Sequence, residues 1–245
     1  MYKAVKIIVF VVFLFAVFFL FSNEIEDFLN EKITFSYEPV PISDDLILEE
    51  VNRERALVGA SALVVEESLV LVAQKKLEDM FSNDYFEHTS PDGIEVNHLA
   101  DDVGYEFILI GENLLQGRFE DEKDVVQAWM DSPGHRKNIL NEKYMETGVA
   151  SAYGDFLGVE LLMSVQVFAV PFSACPDVDR SLRASIEEKE EIIDQLRSKI
   201  EGEENIPEYN GLVDQYNEVV SRITDLIAEY NRQIEIQEDC FSHFR

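Results

Sequence analysis

Two histidines and a glutamate, drawn from three separate places in the chain, are the residues best suited to chemistry. His88 lies in Phe86-Glu87-His88-Thr89-Ser90-Pro91-Asp92-Gly93, Glu112 in Gly111-Glu112-Asn113-Leu114, and His135 in Trp129-Met130-Asp131-Ser132-Pro133-Gly134-His135-Arg136-Lys137-Asn138-Ile139-Leu140. Neutral imidazoles are common ligands for zinc and similar divalent metals, and a carboxylate can complete an open three-ligand site of His88, His135 and Glu112. Alternatively, the glutamate orients one histidine by accepting its ring proton. A zinc-bound water activated by Glu112 would make the chain a metal-dependent hydrolase, a peptidase in particular. Against that reading, the sequence has no His-Glu-x-x-His helix and no persuasive nucleophile–base pair.

Neighbouring residues have plainer roles. Ser90 and Ser132 both precede proline, which suits a turn or a helix N-cap better than a nucleophile. Asn113 reads as structural, and Arg136 and Asn138 as ties within their loop. Trp129 belongs to a core. His98 and His243 have no companion motif and read as surface residues.

The elements that must position this trio are partly visible. Ser43 caps a helix whose apolar face is Ile47, Leu48 and Val51. A second helix begins near Glu66, with Leu69, Ala73, Leu77 and Met80 at helical spacing. A third begins near Asp121 and buries Val126, Trp129 and Met130, its acids suiting a helix N-terminus. Ser132-Pro133 restarts a short helix, the serine capping and the proline filling the first turn. From Val159 to Phe168 the period changes to two, as in a long strand, and Gly148–Tyr153 is its antiparallel partner across a Gly154-Asp155 turn. Helices first and strands later predict an α+β layered domain.

The three ordered motifs closely resemble bacterial members of the CAP superfamily, the SCP-like domains of cysteine-rich secretory proteins, antigen 5 and pathogenesis-related 1 proteins. The likeness runs from about Leu46 to about Pro171. It implies a three-layer α-β-α sandwich around an antiparallel sheet. It also implies a central cleft built on His88, His135 and Glu112, with a divalent metal, zinc foremost, held in some members. Members are linked to lipid, sterol or peptide binding and, in a few cases, to proteolysis, so ligand binding without catalysis is the leading reading. Better-known members carry a second glutamate just beyond the tryptophan. Here Asp131 stands nearby and is the candidate replacement as a ligand-binding residue.

Composition and the chain ends bound the rest. A net charge of −29, from 49 acids and 20 bases, repels nucleic acid and anionic headgroups. Every residue from Ile7 to Phe21 is apolar, with Lys3 and Lys6 on the N-terminal side. Residues 4–22 therefore read as a membrane anchor with the rest exported, or as a signal peptide that leaves a secreted protein. Residues 23–43 read as a tether, because Pro39 and Pro41 interrupt any helix.

The domain over 44–174 is followed, over 175–245, by two runs with 4-3 spacing. Leu182, Ile186, Lys189, Ile193, Leu196 and Ile200 form one. Tyr209, Val213, Tyr216, Val220, Ile223, Ile227, Tyr230 and Ile234 form the other, past a break at Glu201–Pro207. This predicts an antiparallel coiled-coil hairpin, able to present surface to a protein partner in a structural or adhesive role. Cys175 and Cys240 bracket it, and both legs measure about 50 Å at helical and extended rises. Their sulfurs can therefore meet at its base and, in an oxidising exterior, bond; two free thiols are the alternative.

Overall fold

The computed structural model describes residues 40–244. The expected membrane segment, residues 4–22, lies outside the described residues, as does the tether up to residue 39. Among the described residues no helix is long and apolar enough to cross a membrane.

Helix α1 (Asp44–Leu57) starts at Ser43, whose side chain accepts from the Leu46 amide. Strand β1 (Val64–Val65) leads into α2 (Glu67–Ser82), and α3 (Val96–Asp102) follows. Strand β2 (Phe107–Gly117) comes next, then α4 (Glu122–Asp131) and α5 (Pro133–Ile139). Strands β3 (Glu146–Phe156) and β4 (Val159–Pro171) complete the layered part. A 3-10 turn (Phe172–Ala174) then joins it to α6 (Arg180–Glu201) and α7 (Ile206–Phe244).

The four strands lie in the order β1-β3-β4-β2, which puts β2 at an edge. Helices cover both faces, each over its own apolar core. One core packs Ile47, Trp129, Ile139 and Phe168, and the other Leu69, Met80, Val165 and Val167. Successive side chains of a strand point to opposite faces. Glu112 pairs in register with Val167, so it shares the face covered by α2. Asn113, one residue on, faces α5.

The structure corrects several readings. The sheet is mixed rather than antiparallel throughout, because Val64 and Val65 pair in parallel with Glu146 and Thr147 of β3. The hairpin turn falls at Leu157-Gly158, not at Gly154-Asp155. Leu157 and Gly158 take positive φ (54° and 83°), while Gly154 and Asp155 stay in the ladder opposite Leu161 and Glu160. Ser132 stands at the N-cap of α5 with Pro133 in its first turn, but its side chain makes no capping bond. Strand β2 goes unread in the sequence, because its run Phe107-Ile108-Leu109-Ile110 is continuously apolar and gives no alternation.

Helices α6 and α7 form an antiparallel hairpin. A Cys175–Cys240 disulfide closes its base, and the Gln237 side chain donates to the Pro176 carbonyl beside it. Gln233 Oε1 accepts from the Asp179 amide one turn further on. Among the described residues only Leu196 of α6 and Ile223 of α7 are buried. Val220 and Ile227, read from spacing as seam residues, are 36% and 40% exposed and lie to one side of the contact.

Candidate functional site

Gly111-Glu112-Asn113 sits on the edge strand, and each of its residues does a different job there. A Cβ on Gly111 would fall 2.2 Å from the Tyr144 hydroxyl, so only glycine lets that ring cross the strand and stack on Phe168. Asn113 is fully buried; its Nδ2 donates to the His135 carbonyl (3.1 Å) and its Oδ1 accepts from Asn138 (2.9 Å). Asn138 also donates to the Glu112 carbonyl (3.1 Å), which occupies a backbone acceptor on the open edge. The two asparagines thereby fasten α5, and with it His135, against β2.

A third clamp acts from below. Arg55, fully buried, donates to the carbonyls of Ser61 (2.7 Å), Ile139 (2.7 Å), Asn141 (2.8 Å) and Tyr144 (3.1 Å). It gathers the chain leaving α5 into one knot. Four carbonyls converging on one guanidinium satisfy a charge that burial would otherwise penalise.

On the opposite face, Glu112 meets His88. Glu112 Oε2 lies 2.6 Å from His88 Nδ1, with the carboxylate side chain 3% exposed and the imidazole 61% exposed. The loop carrying His88 is fixed at two points. Ser90 Oγ accepts from the Ile94 amide (3.0 Å), the turn role its sequence predicts, and the buried Lys76 Nζ donates to the His88 carbonyl (2.8 Å). Lys76 also donates to the Tyr85 hydroxyl (3.2 Å) and hangs over that ring. Burial pushes the Lys76 ammonium down, and the nearby Glu112 carboxylate opposes the shift.

The two imidazoles differ in charge preference. The hydrogen bond to Glu112 raises the His88 pKa above the ordinary imidazole value. Desolvation lowers that of His135, helped by the positive charge of His88. His88 therefore favours the protonated form beside its carboxylate, and His135 favours the neutral ring. Two polar atoms of the trio are buried without a partner, Glu112 Oε1 and His135 Nδ1.

The arrangement favours one of the two chemistries open to the sequence, the glutamate acting as orienter of His88. Glu112 Oε1 and His135 Nδ1 are metal-type donors left spare, but His88 Nδ1 is engaged by Glu112. Among the described residues no three His, Cys, Asp or Glu side chains are grouped to hold a metal ion. The residues as they stand do not fit a three-ligand metal centre.

Asp131 stands apart from the trio: it is exposed, and its Oδ1 accepts from Gln127 on the same helix (2.7 Å). His98 is exposed and accepts from the Glu95 amide in a capping box on α3. Lys76 and Arg55 went unread as site supports. Their one available signal is a basic residue inside an apolar helical face, next to Val72, Ala73 and Leu77 for Lys76 and to Ile47 and Val51 for Arg55.

Residues 48–168 match the model of the cysteine-rich secretory protein family, CAP. Two Bacillus subtilis proteins are similar. The uncharacterized protein YkwD is 38% identical over 103 residues, spanning 42% of this chain and 40% of that protein. The uncharacterized membrane protein YlbC is 32% identical over 107 residues, spanning 44% of this chain and 31% of that protein. The chain thus spans less than half the length of these curated relatives. Among solved structures, an extracellular protein containing a SCP domain from Bacillus anthracis is 27% identical, covering 53% of this chain and 44% of its own, with a TM-score of 0.45. A cysteine-rich secretory protein from Staphylococcus aureus is 22% identical, covering 51% and 37%, with a TM-score of 0.41.

Proposed function

This chain belongs, through residues 48–168, to the cysteine-rich secretory protein (CAP) family, and from that premise we propose that its cleft is a binding site for a neutral, hydrogen-bonding ligand. One observation carries the reading: Glu112 Oε1, on the carboxylate that holds His88, and His135 Nδ1 are both buried without partners. An unsatisfied buried polar atom costs about 1–3 kcal/mol, which a ligand recovers on binding. Glu112 Oε1 asks for an N–H or O–H donor. Neutral His135 accepts or donates at Nδ1 according to its tautomer. Peptide backbone and hydroxylated lipid headgroups both carry such groups. A chain charge of −29 argues against an anionic ligand.

The site works outside the cytoplasm, held at a membrane by residues 4–22. The Cys175–Cys240 disulfide supports an oxidising compartment.

Imidazole NMR of the full chain in neutral-lipid nanodiscs tests the reading. The titrants are neutral blocked dipeptides, a short-chain monoacylglycerol whose headgroup carries hydroxyls, and zinc chloride. A dipeptide or the headgroup should shift both the His88 and His135 resonances, and Glu112→Gln should weaken that binding about tenfold or more, the size of losing one hydrogen bond to a charged group. Binding of either probe that is indifferent to Glu112→Gln ends the reading. Zinc binding that His88→Ala and His135→Ala each weaken strongly would replace it with a metal centre.

A further inference from the structure

We propose that the α6–α7 hairpin joins two copies of this chain through one apolar stripe along its side. Ile186, Ile193 and Ile200 of α6 recur every seven residues, as do Val213, Val220 and Ile227 of α7. A seven-residue repeat stays on one side of a helix that winds around its neighbour. The hairpin's register is fixed from its base by the Cys175–Cys240 bond and the Asp179–Gln233 bond. Continuing those pairings sets Ile186 level with Ile227, Ile193 with Val220, and Ile200 with Val213. The two rows therefore merge into a single apolar strip.

All six side chains keep solvent exposure in the isolated chain, 36% for Val220 and 40% for Ile227. The groove on the opposite side of the hairpin is more polar, with Gln195, Lys199, Gln215 and Arg222 beside Ile192 and Val219.

Charge placement names the occupant. The chain carries −29 overall, and two copies repel wherever their acids meet. Beside the stripe, away from the α6–α7 contact, α7 presents Asn210, Asn217, Thr224 and Asn231, and α6 presents Arg183, Glu190 and Arg197. Only Glu190 in these two rows is acidic, although acids crowd the rest of both helices. A basic partner would be recognised by an acidic rim. A near-neutral rim on a strongly acidic chain instead fits a surface that meets its own copy.

Size agrees. A helix like α6, of 22 residues, is about 33 Å long, and two helices side by side are about 20 Å wide. Face-to-face packing of two hairpins buries on the order of 1,300 Å² in total, within the range of specific interfaces. The product is a four-helix bundle.

Photo-crosslinking of the full chain in detergent micelles tests the proposal, with benzoylphenylalanine placed at Asn217 beside the stripe or at Gln215 on the polar side. A crosslink of twice the chain mass should form from Asn217 and not from Gln215. Val220→Glu with Ile227→Glu should cut its yield at least about tenfold, as desolvating unpaired charge demands, with helical circular dichroism unchanged. If that double variant loses helix, Asn217→Glu with Thr224→Glu charges the rim without touching the stripe and must lower the yield instead. Equal dimer from both positions, no dimer from Asn217, adducts only with other proteins, or full yield in a folded charged variant would each overturn the proposal.

Discussion

The layered domain and the helical hairpin hold their shapes by opposite means. The domain sandwiches its sheet between two apolar cores, with Arg55 and Lys76 buried and supplied with carbonyl or hydroxyl partners. The hairpin buries one residue in each helix and relies on a covalent staple at its base. A stable two-helix rod needs either more burial or a smaller unfolded ensemble. The disulfide supplies the second, and the side-by-side copy proposed above would supply the first. The site sits in the domain because it needs buried, pre-positioned polar atoms, which only a closed core can hold.

The largest effect should come from cutting the staple. Closing a 65-residue loop stabilises by about 4 kcal/mol in the chain-entropy model. Cys240→Ser should therefore raise amide exchange throughout α6 and α7 while β3 and β4 keep their protection. Equal loss of protection in the sheet would erase the distinction between the two regions.

Next comes Gly148→Ala. The added Cβ would lie 2.1 Å from the Leu69 carbonyl carbon and 2.2 Å from the Val70 nitrogen, both backbone of α2. Driving a helix off its sheet should cost about 3 kcal/mol in denaturant unfolding of the domain. A loss under about 1 kcal/mol would mean that the layers are looser than the geometry shows.

Titration sharpens the comparison at the site itself. By NMR, His88 should titrate above the ordinary imidazole value and His135 below it, with Glu112→Gln returning His88 toward about 6.5. The signs of the stability effects are opposite. The raised His88 pKa gives stability that is present below the unfolded value and lost as pH rises through the folded one. The depressed His135 pKa gives stability that is present above the unfolded value and lost as pH falls through the folded one. Two histidines titrating together would refute the split.

The smallest effect belongs to the hairpin. Gly211 lies inside α7 with nothing within 4 Å of an added Cβ. Gly211→Ala should stabilise that helix by about 1 kcal/mol, seen as slower amide exchange in α7. The same substitution type thus has opposite signs in the two regions.

What the sequence discloses follows periodicity. The faces of α1, α2 and α4 are legible because one-sided burial leaves a 3.6-residue pattern, and the cap at Ser43 is legible because its oxygen satisfies an exposed amide. Asp121 is legible only as the acidic start of α4, and its capping bond comes from the structure. The cysteine pair follows from equal leg lengths. Strand β2 is hidden because a strand covered on both faces has no alternation to show. The hairpin seam is read too wide, since a 4-3 repeat marks an apolar side of a helix without saying which members touch the neighbour. Leu157-Gly158 is missed because a leucine at positive φ carries no turn signal of its own.

By itself, the chain determined which side chains could do chemistry, His88, Glu112 and His135, along with its acidity and the hairpin at its end. Those are properties of residue type and spacing. Tertiary structure alone decided that Glu112 meets His88, that burial lowers the His135 pKa, and that Lys76 and Arg55 brace the chain around these residues. The reason is that charge state and hydrogen-bond choice depend on burial and on neighbours remote in sequence. Neither exists until β2 takes its place at the sheet edge.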